Sequence, residues 1–159
     1  MRVGLGYDSH RFESGRRLVL GGVEIDHERG LAGHSDADVV AHAVTDALLG
    51  AASLGDIGRH FPPTDERWRD ADSIELLRQA GQLAGEQNYQ VVNVDVTVLC
   101  EAPRLAPHAD AMCRRLAGAL DLAPRLVSVK AKTNEHMGWV GRGEGIAALA
   151  VVLVNRIEG

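Results

Sequence analysis

The sequence is poor in aromatic residues and in cysteine, and it contains no long hydrophobic run. Phenylalanine, tryptophan and tyrosine make up 4% of the 159 residues, so the core must be built from Val, Leu, Ile and Ala. The two cysteines, Cys100 and Cys113, form no CxxC pair, and we expect both to be reduced, structural residues of a cytoplasmic protein. No apolar run reaches the ~18 residues that a membrane span needs, and the polar N-terminus does not predict a signal peptide.

Positive charge is not in excess, which bears on the expected partners. The chain has 17 Lys and Arg against 22 Asp and Glu, a formal net charge of -5. A nucleic-acid-binding domain usually carries a basic patch, so we expect no nucleic-acid partner. Gly4-Leu5-Gly6 lacks the third glycine of a dinucleotide fingerprint, and no Walker-type lysine follows a glycine loop. Any phosphate binding must therefore depend on local groups.

Hydrophobic periodicity predicts interleaved strands and helices in a single catalytic domain over residues 1–159. Strands are predicted at 2–10, 17–25, 91–99, 126–133 and 146–154, and helices at about 36–54, 72–87 and 104–120. The stretch Ser35-Asp36-Ala37-Asp38 has the pattern of a capping box at the start of the first helix. We expect an α+β fold, an α/β sandwich, in which a mixed four-stranded sheet carries helices on one face, together with a small N-terminal hairpin.

The last predicted strand, 146–154, is apolar on both of its faces. If the helices cover one face of the sheet, the second apolar face needs a different cover. Association with another subunit would supply that cover. The alternative is a second layer of helices, for which three helices are few, so the pattern favours an oligomer.

Asp8, His10 and His42 form a candidate metal-binding group. Asp8 and His10 are two residues apart on a predicted strand, so both side chains leave the same face, while His42 lies within an apolar helix. One carboxylate and two imidazoles are the three ligands of a catalytic zinc that keeps an open position, which would attract an anionic phosphate. Asp38 or Asp46, one turn from His42, could accept its second ring N–H. The alternative is a solvated strand end and a hydrogen-bonded core histidine.

Three further polar segments are candidates for binding phosphate or cations. His34 and Ser35 lie at the predicted start of a helix, where backbone N–H groups favour anions; a plain N-cap would account for Ser35 but not for His34. The loop 55–65 contains Asp56 and Asp65, and simple solvation is the alternative for both. Glu135 follows a predicted strand and could hold a second, oxygen-preferring cation, although this segment could also be a flexible turn.

Taken together, these segments resemble the 2-C-methyl-D-erythritol 2,4-cyclodiphosphate synthase family. The motifs occur in the family's order over nearly the whole chain, from Gly6-Tyr7-Asp8-Ser9-His10 to Gly141-Arg142-Gly143-Glu144-Gly145-Ile146-Ala147. Between them lie His34-Ser35-Asp36-Ala37-Asp38, Gly55-Asp56-Ile57-Gly58, Phe61-Pro62-Pro63-Thr64-Asp65, Ala102-Pro103-Arg104 and Thr133-Asn134-Glu135.

The resemblance implies a metal-dependent phosphorus–oxygen lyase of the non-mevalonate (MEP) pathway of isoprenoid synthesis. Such an enzyme converts 4-diphosphocytidyl-2-C-methyl-D-erythritol 2-phosphate to 2-C-methyl-D-erythritol 2,4-cyclodiphosphate and releases CMP by intramolecular phosphoryl transfer. This reaction needs no protein nucleophile, which agrees with the lack of any convincing Ser/His/Asp or Cys/His arrangement. Two alternatives are a zinc-dependent phosphohydrolase and a non-catalytic trimer that binds isoprenoid diphosphates.

The resemblance also implies roles for individual residues. Asp8, His10 and His42 are the implied zinc ligands, and Glu135 is the implied ligand of Mg²⁺ or Mn²⁺ at the substrate diphosphate. His34, Thr133 and Asp56 are the implied catalytic residues. All of these except His42 are also expected to contact the substrate. The other expected substrate contacts are Ser9, Ser35, Ile57, Gly58, Phe61, Pro62, Pro63, Thr64, Asp65, Cys100, Glu101, Ala102, Pro103, Arg104, Leu105, Ala106, Ala131, Lys132, Asn134, Trp139 and Arg142.

The family resemblance further implies a homotrimer in which the sheets face the threefold axis and the active sites lie between subunits. Trp139 and Arg142 match positions at a central cavity that accepts isoprenoid diphosphates; the alternative is that they only pack and pair at the axis. The expected partners are therefore a small-molecule cytidine diphosphate substrate, two further copies of the chain and an isoprenoid diphosphate, without a membrane.

Overall fold

The computed structural model describes residues 1–157 and shows a mixed sheet with helices packed on one face. The strands are β1 (Arg2–Ser14), β2 (Leu18–Leu20), β3 (Val23–Ile25), β4 (Arg29–Leu31), β5 (Tyr89–Leu99), β6 (Val127–Lys132) and β7 (Gly145–Arg156). The helices are α1 (Val39–Ala51), α2 (Ile57–His60), α3 (Ser73–Glu86), α4 (Ala109–Ala119) and α5 (Gly138–Gly141). The predicted domain also includes residues 158–159, which lie outside the described residues.

The strand order confirms the predicted α+β class and corrects the number of strands. In residues 1–157 the main sheet has five strands in the order β4-β1-β7-β5-β6. The small N-terminal hairpin is present, but the segment 17–25, predicted as one strand, forms both of its strands, β2 and β3, with a turn at Gly21 and Gly22 between them. Strands β5 and β6 are parallel, whereas the other neighbours are antiparallel. The additional strand, β4, has only three residues, which is too short for a periodic pattern to reveal it.

Helix α1 lies directly on strand β1, and two glycines permit this close approach. A Cβ at Gly4 would lie 1.9 Å from the carbonyl oxygen of Ala47, and a Cβ at Gly6 would lie 1.9 Å from that of Ala43. Because alternate strand residues share a face, the side chains that follow on this face of β1 are those of residues 8 and 10. The glycines thus place α1 close enough to β1 for a side chain from the first turns of α1 to reach the side chains of residues 8 and 10.

The second face of the sheet carries exposed apolar side chains. On β1, Leu5 is 68% exposed and Tyr7 is 53% exposed, and Val3 and Val151 are exposed beside them. Contiguous apolar surface of this kind is uncommon on a monomer. The observation agrees with the prediction that helices cover one face and leave the other apolar face for a different cover.

Two predicted boundaries and one predicted face are wrong. Helix α1 begins at Val39, because the carboxylate of Asp38, not the hydroxyl of Ser35, accepts the first helical N–H groups. Helix α4 begins at Ala109, because a 3-10 turn that contains a proline precedes it. Val92 is 37% exposed and does not share the face of Val94, since a β-bulge shifts the register between Val91 and Asn93. None of the helices in residues 1–157 is both long and apolar enough to cross a bilayer.

Candidate active site

Asp8, His10 and His42 meet at one point between β1 and α1, as predicted. Nε2 of His10 lies 2.8 Å from Oδ2 of Asp8, and Nδ1 of His42 lies 3.0 Å from the same oxygen. The two nitrogens are 3.3 Å apart. A tetrahedral zinc ion with bonds of ~2.0–2.1 Å holds its ligand atoms about 3.3 Å from one another. These three donors therefore fit a metal ion with small adjustments.

Hydrogen bonds at the far side of each ring favour the tautomer that a metal requires. Nδ1 of His10 lies 2.6 Å from the carbonyl oxygen of Ala32, so this nitrogen carries the proton and donates it. Nε2 of His42 lies 2.8 Å from Oγ of Ser73, whose own hydroxyl donates to the carboxylate of Asp36. Ser73 must then accept from His42. In its neutral form, each ring thus directs an unprotonated nitrogen toward the shared point.

The predicted partners of His42 are wrong. The carboxylate of Asp38 is fully buried and accepts the N–H groups of Gly21 and Gly22, which ties the hairpin to the start of α1. The carboxylate of Asp46 accepts the N–H of Ile57 at 2.7 Å and anchors the start of α2. Ser73 has the expected role instead. It lies 31 residues from His42 in sequence, so helical spacing could not indicate it.

The three donors alter one another's proton affinity. Burial raises the pKa of Asp8, but hydrogen bonds and positive charge from His10 and His42 outweigh burial and lower this pKa to about 2. Burial lowers the pKa of His10, yet its hydrogen bond and ion pair with Asp8 leave the pKa raised above 6.5. The carboxylate is therefore ionised at neutral pH, and a metal competes with a proton for His10.

The metal-binding group opens into a cavity of about 280 Å³, here called the metal cavity. Its other lining residues are His34, Ser35, Ile57, Gly58, Phe61, Pro63, Trp68 and Leu76. Nε2 of His34 lies 3.3 Å from the carbonyl oxygen of Asp65, so the loop after α2 holds this ring. Trp68 packs edge-to-face against Phe61, with ring centroids 5.1 Å apart. Trp68 and Leu76 were not predicted, because isolated apolar residues are typical of a core.

Four other predicted residues of the segment 55–65 do not line the metal cavity. Asp56 is exposed, and its carboxylate caps α2 by accepting the N–H of Arg59 at 2.9 Å. Asp65 forms an ion pair with Arg67. Pro62 and Thr64 lie in the same loop outside the cavity lining. Asp56 thus shapes this loop through the backbone of α2.

A second cavity of about 280 Å³, here called the nucleotide cavity, brings together most of the predicted nucleotide segment. It is lined by Cys100, Glu101, Pro103, Arg104, Leu105, Ala106, Ala131, Lys132 and Thr133. Burial raises the pKa of the Cys100 thiol to about 12, so this cysteine remains protonated and is a poor nucleophile. Ala102, Asn134 and Glu135 are sequence neighbours of lining residues but do not line the cavity themselves. The hydroxyl of Thr133 is 3.4 Å from Oε1 of Glu135.

The metal cavity and the nucleotide cavity lie at the same end of the sheet but are separate within the described chain. Among residues 1–157 they have no lining residue in common. Asp8 pairs with Ala148, Ala148 pairs with Val98, and Val98 pairs with Ala131, so these residues form one row across four strands. Three strand spacings separate Asp8 from Ala131 by about 14 Å.

Ser9, Trp139 and Arg142 belong to a third region. Ser9 points to the opposite face of β1 from Asp8, and with Trp139 it lines a cavity of about 230 Å³. Arg142 is exposed, and its Nε donates to the carboxylate of Glu144 at 2.6 Å. The structure therefore does not bring these three residues into the metal cavity or the nucleotide cavity.

Comparison with known proteins agrees with this arrangement. The family model described as the YgbB family matches residues 1–155. The chain belongs to the YgbB family. A 2-C-methyl-D-erythritol 2,4-cyclodiphosphate synthase of Synechococcus sp. (strain JA-2-3B'a(2-13)) is 58% identical over 154 residues, which cover 97% of this chain and 98% of that protein. The family resemblance in the sequence is thus confirmed.

Solved structures of the family share the fold. The IspF of Plasmodium falciparum, solved as a CDP complex, is 31% identical with a TM-score of 0.86, and the match covers 99% of this chain and 97% of that one. The bifunctional IspDF of Campylobacter jejuni is 43% identical with a TM-score of 0.95. That match covers 99% of this chain and 42% of the longer bifunctional chain.

Proposed function

We propose that the chain converts 4-diphosphocytidyl-2-C-methyl-D-erythritol 2-phosphate to 2-C-methyl-D-erythritol 2,4-cyclodiphosphate and CMP in the MEP pathway. It is a metal-dependent phosphorus–oxygen lyase with one catalytic domain. The observation that carries this conclusion is the metal-binding group of Asp8, His10 and His42 at the floor of a cavity shared with His34. Relatives that are 58% identical bear the name of this synthase.

The reaction requires orientation of one substrate rather than a protein nucleophile. An oxygen of the 2-phosphate attacks the β-phosphorus, a new P–O bond forms, and the bond from the β-phosphorus to the bridging oxygen breaks. CMP leaves with that oxygen, and no water is consumed. Holding linked reactants in line can supply about 7–11 kcal/mol of the barrier. The protonated thiol of Cys100 agrees with a site that forms no covalent intermediate.

The residues of the metal cavity supply positioning and charge. Asp8, His10 and His42 would hold zinc, which when bound would supply positive charge to a substrate phosphate. We assign His34 to stabilisation of the transferring phosphate, because its ring lines this cavity and is held by the carbonyl oxygen of Asp65. Asp56 contributes by capping α2 and so fixing the loop beside the substrate.

Thr133 and Glu135 act on the substrate diphosphate from the side of the nucleotide cavity. Thr133 lines the nucleotide cavity and is assigned to stabilisation of the same phosphoryl transfer. In residues 1–157 the one group of three potential metal ligands is that of Asp8, His10 and His42. Glu135 would therefore hold Mg²⁺ or Mn²⁺ with oxygens of the diphosphate as further ligands. Such shared coordination is usual for Mg²⁺ at phosphates.

We further propose a homotrimer in which each active site joins the metal cavity of one subunit to the nucleotide cavity of a neighbour. Two observations support this assembly: the two cavities of a single subunit are separate, and the exposed apolar face around Leu5, Tyr7 and Val151 needs a cover. Trp139 and Arg142 would then lie near the axis, where an isoprenoid diphosphate is the proposed ligand. The unpaired cysteines, Cys100 and Cys113, support a cytoplasmic location.

Product analysis with the cytidine diphosphate substrate tests the proposal. We expect CMP and the cyclic diphosphate in equal amounts, no incorporation of ¹⁸O from labelled water, and loss of both products with a chelator. Asp8→Asn should release no CMP, because it weakens the metal-binding group. Ring-opened phosphate products that contain ¹⁸O would indicate a phosphohydrolase. Binding of isoprenoid diphosphates without any CMP release would indicate a non-catalytic trimer.

A further inference from the structure

The carboxylate of Glu101 connects the two segments that form the nucleotide cavity. Its Oε2 accepts the backbone N–H of Asn134 at 3.0 Å, and its Oε1 accepts the backbone N–H of His136 at 3.3 Å. Nδ1 of the His136 ring lies 3.0 Å from Oε1. The Glu101 side chain is 14% exposed, so it is largely removed from solvent. The carboxylate is therefore committed to this turn.

The turn 134–136 has a backbone conformation that residues other than glycine rarely adopt. Glu135 has φ 51° and His136 has φ 60°, so two consecutive residues lie in the left-handed region. Such residues persist only where the surrounding structure holds them. Backbone N–H groups that converge on one anion form a nest, and here the anion is a side chain of the same protein. Glu101 supplies two of the contacts that hold this turn, beside the hydrogen bonds that join Asn134 to Met137.

From these contacts we propose that Glu101 is a positioning residue for nucleotide binding. Its carboxylate holds the turn 134–136 in the left-handed conformation and thereby places Thr133 and Glu135 against the nucleotide cavity. The inference rests on the proposed function, which assigns a cytidine nucleotide to this cavity. Glu101 then acts through the backbone of the turn, a role distinct from the direct substrate contact that the sequence resemblance implies.

Four variants separate this role from alternatives. Glu101→Ala removes both acceptors from the N–H groups of Asn134 and His136. Glu101→Asp keeps the charge but withdraws it by one methylene. Glu101→Gln removes the charge and leaves one acceptor oxygen in place of two, so the amide can accept from Asn134 or from His136 but not from both. His136→Ala is the matched control, because it keeps both backbone contacts and removes a ring that is 87% exposed.

The test uses the full-length, zinc-loaded protein with CDP as the probe. Calorimetry gives the Kd for CDP, and hydrogen exchange reports the amides of Asn134 and His136. In Glu101→Ala and Glu101→Asp we expect a Kd raised about tenfold or more and faster exchange of both amides, because charge-assisted hydrogen bonds are lost. Glu101→Gln should bind with a Kd between those of the wild type and Glu101→Ala, because it keeps one of the two backbone contacts, and His136→Ala should match the wild type. Zinc content should not change in any variant, since Glu101 does not contact the metal-binding group.

Several results would overturn the inference. One is unchanged CDP affinity in Glu101→Ala; another is unchanged amide exchange at Asn134 and His136. A loss of affinity in His136→Ala equal to that in Glu101→Ala would assign the effect to the exposed ring. If Glu101→Ala does not fold, Glu101→Asp decides by the same two measurements. A wild-type protein that does not bind CDP contradicts the proposed function, whereas the exchange data still decide whether Glu101 holds the turn.

Discussion

Ser73 offers a direct test of how the metal-binding group is built. Its hydroxyl accepts from Nε2 of His42 at 2.8 Å and donates to the carboxylate of Asp36, and the residue is fully buried. Replacement by alanine removes the acceptor that keeps the His42 proton on Nε2. Nδ1 would then be protonated in part of the molecules, and a protonated Nδ1 cannot bind a metal. We therefore expect Ser73→Ala to weaken zinc binding without removing any ligand.

The expected loss can be given a magnitude. Removal of a partner that orients a metal-bound histidine typically costs about 10- to 100-fold in metal affinity. That range equals about 1.4–2.8 kcal/mol of binding free energy. We expect a loss of zinc affinity near the lower value, because Oγ of Ser35 lies 3.1 Å from the same ring nitrogen. Ser35 can thus replace part of the hydrogen bond that Ser73 makes with His42.

Competition with a chromophoric chelator measures zinc affinity independently of turnover. Thr45→Ala is the matched control, since Thr45 is also fully buried, lies on the same helix as His42, and donates to the carbonyl oxygen of Ala41. Both variants should lose stability, but only Ser73→Ala should lose zinc affinity. Equal zinc affinity in Ser73→Ala and the wild type would refute the assignment of the His42 tautomer.

Three further predictions concern packing, pH and assembly. Gly6→Ala should lower the free energy of unfolding by about 3 kcal/mol or more, because its Cβ would collide with the carbonyl oxygen of Ala43. Urea titrations measure this change, and a urea midpoint equal to that of the wild type would contradict the close contact of α1 with β1. Zinc affinity should fall about tenfold or more per pH unit below the raised pKa of His10, because the proton on this ligand must be displaced. Asp8, with a pKa of about 2, should not contribute above pH 4, and titrations at pH 5, 6 and 7 check this slope. Leu5→Glu should reduce the mass measured by light scattering from three chains toward one, and a mass equal to that of the wild type would count against the proposed interface.

The sequence by itself determined the local features of the site. The spacing of Asp8 and His10 places both on one face of a strand, because the period of a strand is two residues. The motifs around them were sufficient to recognise the family and to select His42 as the third donor. The alternating pattern also predicted the central strands and the second apolar face, since both depend on neighbours along the chain.

Only the tertiary structure decided which distant groups complete the site. Ser73 and Asp36, rather than Asp38 or Asp46, orient His42, because the packing of α3 against α1 brings them together. The separation of the two cavities likewise follows from the strand order, which places two strands between β1 and β6. Such contacts join residues far apart in sequence, and the periodicity of a single element contains no information about them. The same reason explains why Glu101 could be placed in the nucleotide segment from sequence, whereas its partners in the turn 134–136 could not.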